Sequence, residues 1–168
     1  MKIKEQDAGW QSSMDKNITF IVTKDCQLAC KYCYLVGKNT KERMPWEIAK
    51  QAVDYILERE DEFREESVVW DFIGGEPFLE IDLIDRICDY IKMEMFRRNH
   101  HWFNSYRFSF STNGINYHEE KVQNFIKKNK EHLSIGITID GTEMKHDLNR
   151  VYKITNRGSY KDVARNIP

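Results

Sequence analysis

The sequence predicts an α/β fold in which parallel strands alternate with helices, as in part of a barrel. Short β-branched and aromatic segments recur along the chain, and the segments between them carry apolar residues at helical spacing. Strands that alternate with helices pair in parallel through right-handed crossovers. Because a closed (βα)8 barrel takes about 250 residues, the 168 residues present correspond to about the first four βα units of a TIM-like barrel.

The first βα unit begins with NITFIVT, a β-branched and aromatic run typical of a buried strand. The segment MPWEIAKQAVDYILERE then predicts a helix, with Pro45 at an early helical position. Its apolar residues recur at the spacing of one helical face. They are Ala49, Ala52, Val53, Ile56 and Leu57.

The second and third units repeat this pattern. SVVWDFI and YRFSFS predict strands, and in the latter Phe108 and Phe110 share one face while Ser109 and Ser111 share the other. The helix after the second strand has an apolar stripe formed by Ile84, Ile87, Cys88, Ile91 and Met95. The helix after the third strand carries Val122, Phe125 and Ile126. We expect Cys88 to be a core residue, because it lies on that stripe.

LSIGITI predicts the fourth strand, which has one apolar face and one small or polar face. The apolar face holds Ile135, Ile137 and Ile139, and the other face holds Gly136, Thr138 and Asp140. The final segment NRGSYKDVARNIP predicts the start of another helix. Apolar faces toward the helices and small polar faces inward are expected of a barrel whose lumen holds a ligand.

Composition excludes some function classes. The chain has 26 basic and 27 acidic side chains, so no net positive field favours a nucleic acid partner. No apolar run approaches the roughly 20 residues that span a bilayer, and the polar start lacks a secretory signal. We therefore expect a cytoplasmic protein without a membrane partner, with a polar segment at 1–17 and a single domain at 18–168.

Three of the four cysteines lie within the eight residues CQLACKYC, directly after the first strand. Thiolates select zinc, copper(I) or iron-sulfur clusters. A structural zinc site takes four protein ligands, whereas a 4Fe-4S cluster held by three thiolates keeps one iron open for a substrate. The cluster is the favoured interpretation; a zinc site and buried small thiols remain alternatives.

Each of the other strands is also followed by residues that suit a site. Gly74, Gly75 and Glu76 follow the second strand, STNG follows the third, and Asp140 follows the fourth. Because ligands collect at the carboxyl ends of parallel strands, we expect these segments to share one rim. Glu76 would offer a carboxylate to an amine there, and Arg150 would bind a carboxylate if its segment folds over the rim.

From about Ile18 to its end, the chain resembles the radical S-adenosylmethionine (SAM) superfamily. Within it, the chain resembles the branch that modifies peptides and proteins and usually carries a C-terminal SPASM or twitch domain. Cys26, Cys30 and Cys33 match the C-x3-C-x2-C motif. GGEPFLE, STNG and TIDGTEMKHDLNR follow in the order that this family shows. The resemblance implies the N-terminal part of a radical SAM-type barrel, without its later strands and its SPASM domain.

The resemblance also implies roles for individual residues. Cys26, Cys30 and Cys33 would be the catalytic ligands of a 4Fe-4S cluster whose open iron binds SAM. The remaining cofactor-binding positions are Tyr32 near the adenine, the amine-binding edge Gly74, Gly75 and Glu76, the pocket residues Ser111 and Asn113, Thr138 at the ribose, Asp140 at cofactor or substrate, and Arg150 at the carboxylate.

The implied activity is one-electron reduction of the cluster and cleavage of SAM to methionine and a 5′-deoxyadenosyl radical, which abstracts a hydrogen atom from a peptide or protein. The enzyme would be a peptide maturase or a sulfatase-type maturase, with a reductant such as flavodoxin or ferredoxin as a partner. Two alternatives stay open. One is a radical SAM enzyme that acts on a small molecule in cofactor biosynthesis, and the other is a non-catalytic metal- or cluster-binding module.

Overall fold

Four parallel strands form a single sheet in the computed structural model, which describes residues 15–35, 38 and 40–167. The strands are β1 (Asp15–Thr23), β2 (Ser67–Gly74), β3 (Tyr106–Thr112) and β4 (Leu133–Ile137). They lie in the order β1-β2-β3-β4, and each neighbouring pair is parallel. The predicted α/β fold is confirmed, and each crossover advances one position along the sheet, as in the wall of a barrel.

Three helices connect the strands: α1 (Trp46–Leu57), α2 (Ile81–Arg97) and α3 (Glu120–Asn129). Two more, α4 (Glu143–Asn149) and α5 (Tyr160–Arg165), follow β4, and the latter confirms the helix predicted at the end of the chain. Short 3-10 turns cover Pro77–Glu80, His101–Asn104 and Lys130–His132. Within the described residues, no helix combines the length and the apolar character that crossing a bilayer requires.

The core lies between the connecting helices and one face of the sheet. Phe20, Phe72 and Phe110 occupy the same level on adjacent strands. Their rings stack with centroids 5.5 and 5.1 Å apart. The predicted stripe of α2 is fully buried against this layer, and Cys88 is one of its core residues, as expected. Burial of these apolar side chains is the main force that holds the helices on the sheet.

The other face of the described sheet carries no helix and is lined mostly by small and polar side chains, together with Ile21, Val69 and Ile73. Asn17, Thr19 and Ser111 are exposed on it, and Asp71 and Ser109 are half-buried. This is the face that the alternation of side chains along β3 predicted. The division into an apolar and a polar face therefore leaves room for a ligand at the carboxyl ends of the strands.

Two boundaries differ from the sequence prediction. The first strand begins at Asp15, so the segment predicted at 1–17 ends inside β1, and its first 14 residues lie outside the described structure. The fourth strand ends at Ile137, before Ile139 and Asp140. The main chain of Thr138 still donates a hydrogen bond to Thr112, the last residue of β3. Beyond that point β4 has no neighbouring strand to pair with, so it ends.

The helix α4 was not predicted from the sequence. It begins after Thr142, whose side chain accepts a hydrogen bond from the main-chain N–H of Lys145. Glu143 follows in the first turn, where a negative charge is favourable. This capping signal was present in TIDGTEMKHDLN, but seven residues are too few for a helical apolar period to stand out.

We expect Phe72→Ala to lower the free energy of unfolding by about 3–5 kcal/mol, because it removes a fully buried ring that stacks on two others. Phe96→Ala is the matched control, since the ring of Phe96 is 70% exposed and its loss is expected to cost about 1 kcal/mol or less. Urea unfolding followed by circular dichroism measures both. Equal losses would show that the aromatic layer is not the centre of the core.

Candidate active site at the carboxyl edge of the sheet

A cavity of about 230 Å³ opens where the strands end and receives residues from five segments of the chain. Ten of the twelve residues singled out from the sequence line it: Cys26, Cys30, Tyr32, Cys33, Gly74, Gly75, Ser111, Asn113, Thr138 and Arg150. The other two, Glu76 and Asp140, contact lining residues by hydrogen bonds. The expected convergence on one rim is what the structure shows.

The cysteine loop is held by a segment more than 115 positions away in the chain. Residues 27–31 pair in antiparallel fashion with residues 149–153, and a bridge joins Leu28 to Tyr152. The main-chain N–H of Ala29 donates to Val151 at 2.8 Å, and that of Lys31 donates to Asn149 at 2.9 Å. This pairing brings Arg150, which lies between those two acceptors, over the cysteines.

All three thiols of the loop are free, and two of them, Cys26 and Cys30, are shielded from solvent by the fold. Cys26 is buried, and its Sγ accepts hydrogen bonds from the main chain of Leu28 at 3.3 Å and from Nδ2 of Asn113 at 3.7 Å. Burial raises the pKa of the Cys26 and Cys30 thiols. Iron binding replaces the proton on such a thiol, so loading of the site releases protons.

The number of thiols fits a cluster better than a structural zinc site. Three free cysteines of the loop line the cavity, whereas a structural zinc ion takes four protein ligands. A 4Fe-4S cluster held by three thiolates keeps one iron open for a ligand. Within the described residues, one group of three potential metal ligands has its ligand atoms within 4.8 Å of one another, and it consists of Glu60, His100 and His101.

The group formed by Glu60, His100 and His101 is not a competing metal centre. The two imidazole rings stack with centroids 4.5 Å apart and planes 20° apart, so their in-plane lone pairs do not converge on one point. In addition, Nδ1 of His100 accepts a hydrogen bond from the main chain of Trp102, which leaves the proton of the neutral ring on Nε2. The group also precedes β3, at the opposite edge of the sheet.

Gly74 and Gly75 allow the end of β2 to touch the start of the cysteine loop. The main-chain N–H of Gly75 donates to Thr23, and that of Glu76 donates to Asp25, both at 2.8 Å. A Cβ atom on either glycine would clash with the carbonyl oxygen of Thr23 or Asp25. Close approach of two backbones is therefore the reason for glycine at both positions.

The carboxylate of Glu76 lies beneath the cavity and is 1% exposed. Its Oε1 accepts from the hydroxyl of Thr112 at 2.6 Å and from the main chain of Phe78 at 3.1 Å, and its Oε2 accepts from the main chain of Asn113 at 2.8 Å. Burial raises the pKa of this carboxyl, and the three hydrogen bonds oppose that rise. The side chain ties the end of β2 to the end of β3 and does not itself line the cavity.

Arg150 lies at the mouth of the cavity with part of its hydrogen-bonding capacity free. The residue is 6% exposed. Its Nη1 donates to the hydroxyl of Tyr32 at 2.7 Å, and that hydroxyl donates to the carboxylate of Asp140 at 2.7 Å. The buried Nε of Arg150 has no partner within the described residues. Such a donor is costly to leave unpaired, so it favours an anionic ligand in the cavity.

Three further lining residues come from β3, from the residue that follows it and from the chain after β4. Ser111 is exposed on the polar face of the sheet, and Thr138 is exposed just beyond β4. Asn113 is buried and donates from Nδ2 to Gln27 at 3.2 Å as well as to Cys26. Within the part of the chain that the structure describes, the hydroxyls of Ser111 and Thr138 have no hydrogen-bond partner, while Asn113 fixes the cysteine loop.

Sequence reasoning missed several residues that hold the site together. Thr112, Lys38, His146 and Ser159 belong to this set. Nζ of Lys38 donates to the carbonyl of Cys30 at 3.1 Å, and Thr112 hydrogen-bonds to Glu76. Period two would have placed Thr112 opposite Ser111, on the buried side of β3, which is the signal that could have found it. The other three carry no local signal.

The profile of the Radical SAM superfamily matches residues 20–168, a range that contains every residue of this site. The chain belongs to the radical SAM superfamily. Members use a 4Fe-4S cluster and SAM, and this chain takes both cofactors. Three free thiols at one cavity and the Nε of Arg150, which has no partner within the described residues, fit them.

The radical SAM chain is also similar to proteins whose activity is not described. It is 34% identical over 163 residues to an uncharacterized protein of Methanocaldococcus jannaschii, with 91% of this chain and 50% of the relative covered. It is 30% identical over 149 residues to an uncharacterized protein of Synechocystis, with 86% of this chain and 35% of the relative covered. The chain therefore spans half or less of the length of these curated relatives.

Solved structures share the fold of this radical SAM chain. One is anSMEcpe with bound AdoMet and the Cp18Cys peptide, with a TM-score of 0.67, 23% identity and coverage of 90% of this chain and 38% of that chain. Another is His-tagged anSMEcpe with bound AdoMet, with a TM-score of 0.70, 22% identity and coverage of 90% and 39%. That protein is an anaerobic sulfatase maturase. At these identities, the likeness establishes the fold.

We expect Cys30→Ala to abolish stable cluster assembly, because it removes one of three thiols at the cavity. Cys88→Ala is the matched control: it deletes a thiol buried in α2, so it should lower stability by about 1 kcal/mol and leave the cluster intact. Iron and sulfide content after anaerobic reconstitution measures the difference. Equal iron in both variants would contradict the assignment of the cysteine loop as the cluster site.

Proposed function

We propose that this chain is the N-terminal part of a radical SAM enzyme that modifies a ribosomal peptide or a protein by hydrogen abstraction. The observation that carries the proposal is the meeting of three free thiols and a buried, incompletely paired guanidinium in one cavity. A structural metal site has no use for Arg150. A cofactor that presents an amino acid carboxylate beside an open iron has a use for both features.

Cys26, Cys30 and Cys33 would hold the cluster, and Nε of Arg150 would bind the carboxylate of SAM through a charge-assisted hydrogen bond. When bound, the cluster and SAM supply reductive SAM cleavage and a hydrogen-abstracting radical. The chain supplies position and charge. The antiparallel pairing of residues 27–31 with 149–153 fixes the distance between the cysteines and Arg150.

The edge formed by Gly74 and Gly75 would face the amine of SAM. The two glycines bring the main chain to the cavity, where main-chain carbonyls can accept hydrogen bonds from an ammonium. Glu76 places its carboxylate directly beneath and sets the position of that edge through Thr112 and Asn113. Its contribution to binding the amine would therefore be electrostatic and positional.

The remaining lining residues would bind the rest of SAM and admit the substrate. The free hydroxyl of Thr138 would contact the ribose, and Ser111 and Asn113 would line the pocket below it. Tyr32 is 54% exposed, so one face of its ring is open to pack near the adenine. Asp140 fixes that ring through the Tyr32 hydroxyl, and its own exposed side would face cofactor or substrate.

The polar face of the sheet would serve as the wall of the reaction chamber. Small residues such as Ser111 and Gly136 leave space beside the cavity, and the rest of the chamber would come from further barrel strands and a SPASM-type domain. In this proposal residues 18–168 are the first part of the core domain. A flavodoxin or ferredoxin would deliver the electron. A fold neighbour that binds a peptide supports a peptide or protein substrate.

We expect the reduced, reconstituted chain to show a 4Fe-4S paramagnetic resonance signal that changes when SAM is added. Arg150→Ala should raise the SAM concentration needed for that change about tenfold or more, because a charged hydrogen bond contributes about 1.5–3 kcal/mol. Arg107→Ala is the matched control, since Arg107 is exposed near the amino end of β3. A cluster signal that ignores SAM would overturn the enzyme assignment.

The substrate class is tested by isotope transfer. An extract from cells grown in deuterated medium is divided by ultrafiltration into macromolecular and small-molecule fractions, and each is incubated with the reduced protein and SAM. We expect deuterium to appear in 5′-deoxyadenosine with the macromolecular fraction, and mass spectrometry measures it. Transfer from the small-molecule fraction alone would favour the alternative, an enzyme of cofactor biosynthesis.

A further inference from the structure

A buried chain of hydrogen bonds connects the two sides of the cavity mouth behind Arg150. His146 is fully buried in α4. Its Nδ1 lies 3.2 Å from the main-chain N of Asp140, and its Nε2 lies 2.9 Å from Oγ of Ser159. Oγ of Ser159 lies 2.8 Å from the carbonyl oxygen of Arg150. A single imidazole thus links Asp140 to Arg150.

All the hydrogen bonds in this series run in the same direction, from the N–H of Asp140 to the carbonyl of Arg150. The N–H of Asp140 can only donate, so Nδ1 of His146 is the acceptor and the proton of the neutral ring is on Nε2. Nε2–H then donates to Ser159, whose hydroxyl donates to the carbonyl of Arg150, which can only accept. Burial, together with the charge of Arg150, lowers the pKa of His146, which agrees with a neutral ring.

The same two residues are joined a second time by their side chains. Nη1 of Arg150 donates to the Tyr32 hydroxyl, and that hydroxyl donates to Asp140. The main chain of Arg150 is fixed as well: its N–H donates to the carbonyl of His146 at 2.8 Å, and its carbonyl accepts from the N–H of Ser159 at 3.2 Å. Arg150 is therefore held in a closed ring of hydrogen bonds.

We propose that His146 is a positioning residue that acts through Ser159 to aim the guanidinium of Arg150 at the carboxylate of SAM. The inference rests on the proposed function, because it concerns the same carboxylate. An apolar residue of similar size would fill the space of His146 equally well. It would leave the N–H of Asp140 without an acceptor and the hydroxyl of Ser159 without its donor. Nothing would then hold that hydroxyl in the orientation from which it donates to the carbonyl of Arg150.

The test uses two substitutions of His146, each of which keeps the hydrogen bond of one ring nitrogen and removes that of the other. His146→Gln extends an amide N–H toward Ser159 and so keeps the end that reaches Arg150. His146→Asn keeps an acceptor near the N–H of Asp140 but falls short of Ser159. Ser159→Ala breaks the same link with a smaller change in volume. His132→Asn is the matched control, because His132 lies at the opposite edge of the sheet, against Tyr106.

The measurement is calorimetric titration of the anaerobically reconstituted chain with SAM and with decarboxylated SAM. We expect His146→Asn and Ser159→Ala to weaken SAM binding about five- to tenfold, the effect of one hydrogen bond. Decarboxylated SAM should bind these variants as it binds the parent chain. His146→Gln and the control should retain most of the affinity for SAM. Arg150→Ala should remove the further effect of His146→Asn, because coupled residues are not additive.

Each alternative result has a distinct meaning. If His146→Asn and Ser159→Ala weaken both ligands equally, or lower only the melting temperature, His146 has a structural role and the inference is wrong. If His146→Asn fails to assemble a cluster, Ser159→Ala carries the same prediction. If Arg150→Ala leaves the preference for SAM over decarboxylated SAM unchanged, the carboxylate assignment in the proposed function fails, whatever His146 does.

Discussion

The antiparallel pairing between residues 27–31 and 149–153 is the interaction on which the rest of the site depends. It consists of a few main-chain hydrogen bonds, so it needs no particular side chains, yet it joins residues that are 118 to 126 positions apart in a chain of 168. Cys30 and Arg150 face the same cavity only because these two segments lie side by side. A thiol loop that followed β1 without this partner would have no fixed anion-binding group above it.

A second constraint acts beneath the cavity. Glu76 is buried and joins the ends of β2 and β3 through Thr112 and Asn113, and Asn113 in turn contacts Cys26. A buried carboxylate is tolerated only where donors surround it, and here three donors do so. The carboxyl group that joins the two strands therefore lies under the site where the amine and the sulfonium of SAM would bind. The packing of the strands and the electrostatics of the site share the same residue.

The two faces of the sheet have different tasks. Large aromatic rings on one face pack against α1, α2 and α3 and stabilise the fold. Ser111 and Gly136 on the other face leave space at the carboxyl ends of β3 and β4, as expected when a ligand and a substrate have to fit there. Stability and binding are therefore separated by the direction in which each side chain leaves its strand. Changes on one face can alter the cavity with little effect on the core.

The sequence by itself determined the order of the four strands and of the helices α1, α2, α3 and α5, the buried stripes and ten of the residues that line the cavity. These follow from local rules: side chains alternate along a strand, recur every three or four positions in a helix, and meet where parallel strands end. Only the tertiary structure decided that Glu76 points below the cavity, that Tyr32 joins Arg150 to Asp140, and that His146 and Ser159 support them. Those contacts connect loops and short helices that have no periodic pattern, and their partners lie up to 118 positions apart. Which polar groups become paired depends on how the backbone closes in space, and spacing along the chain does not encode that.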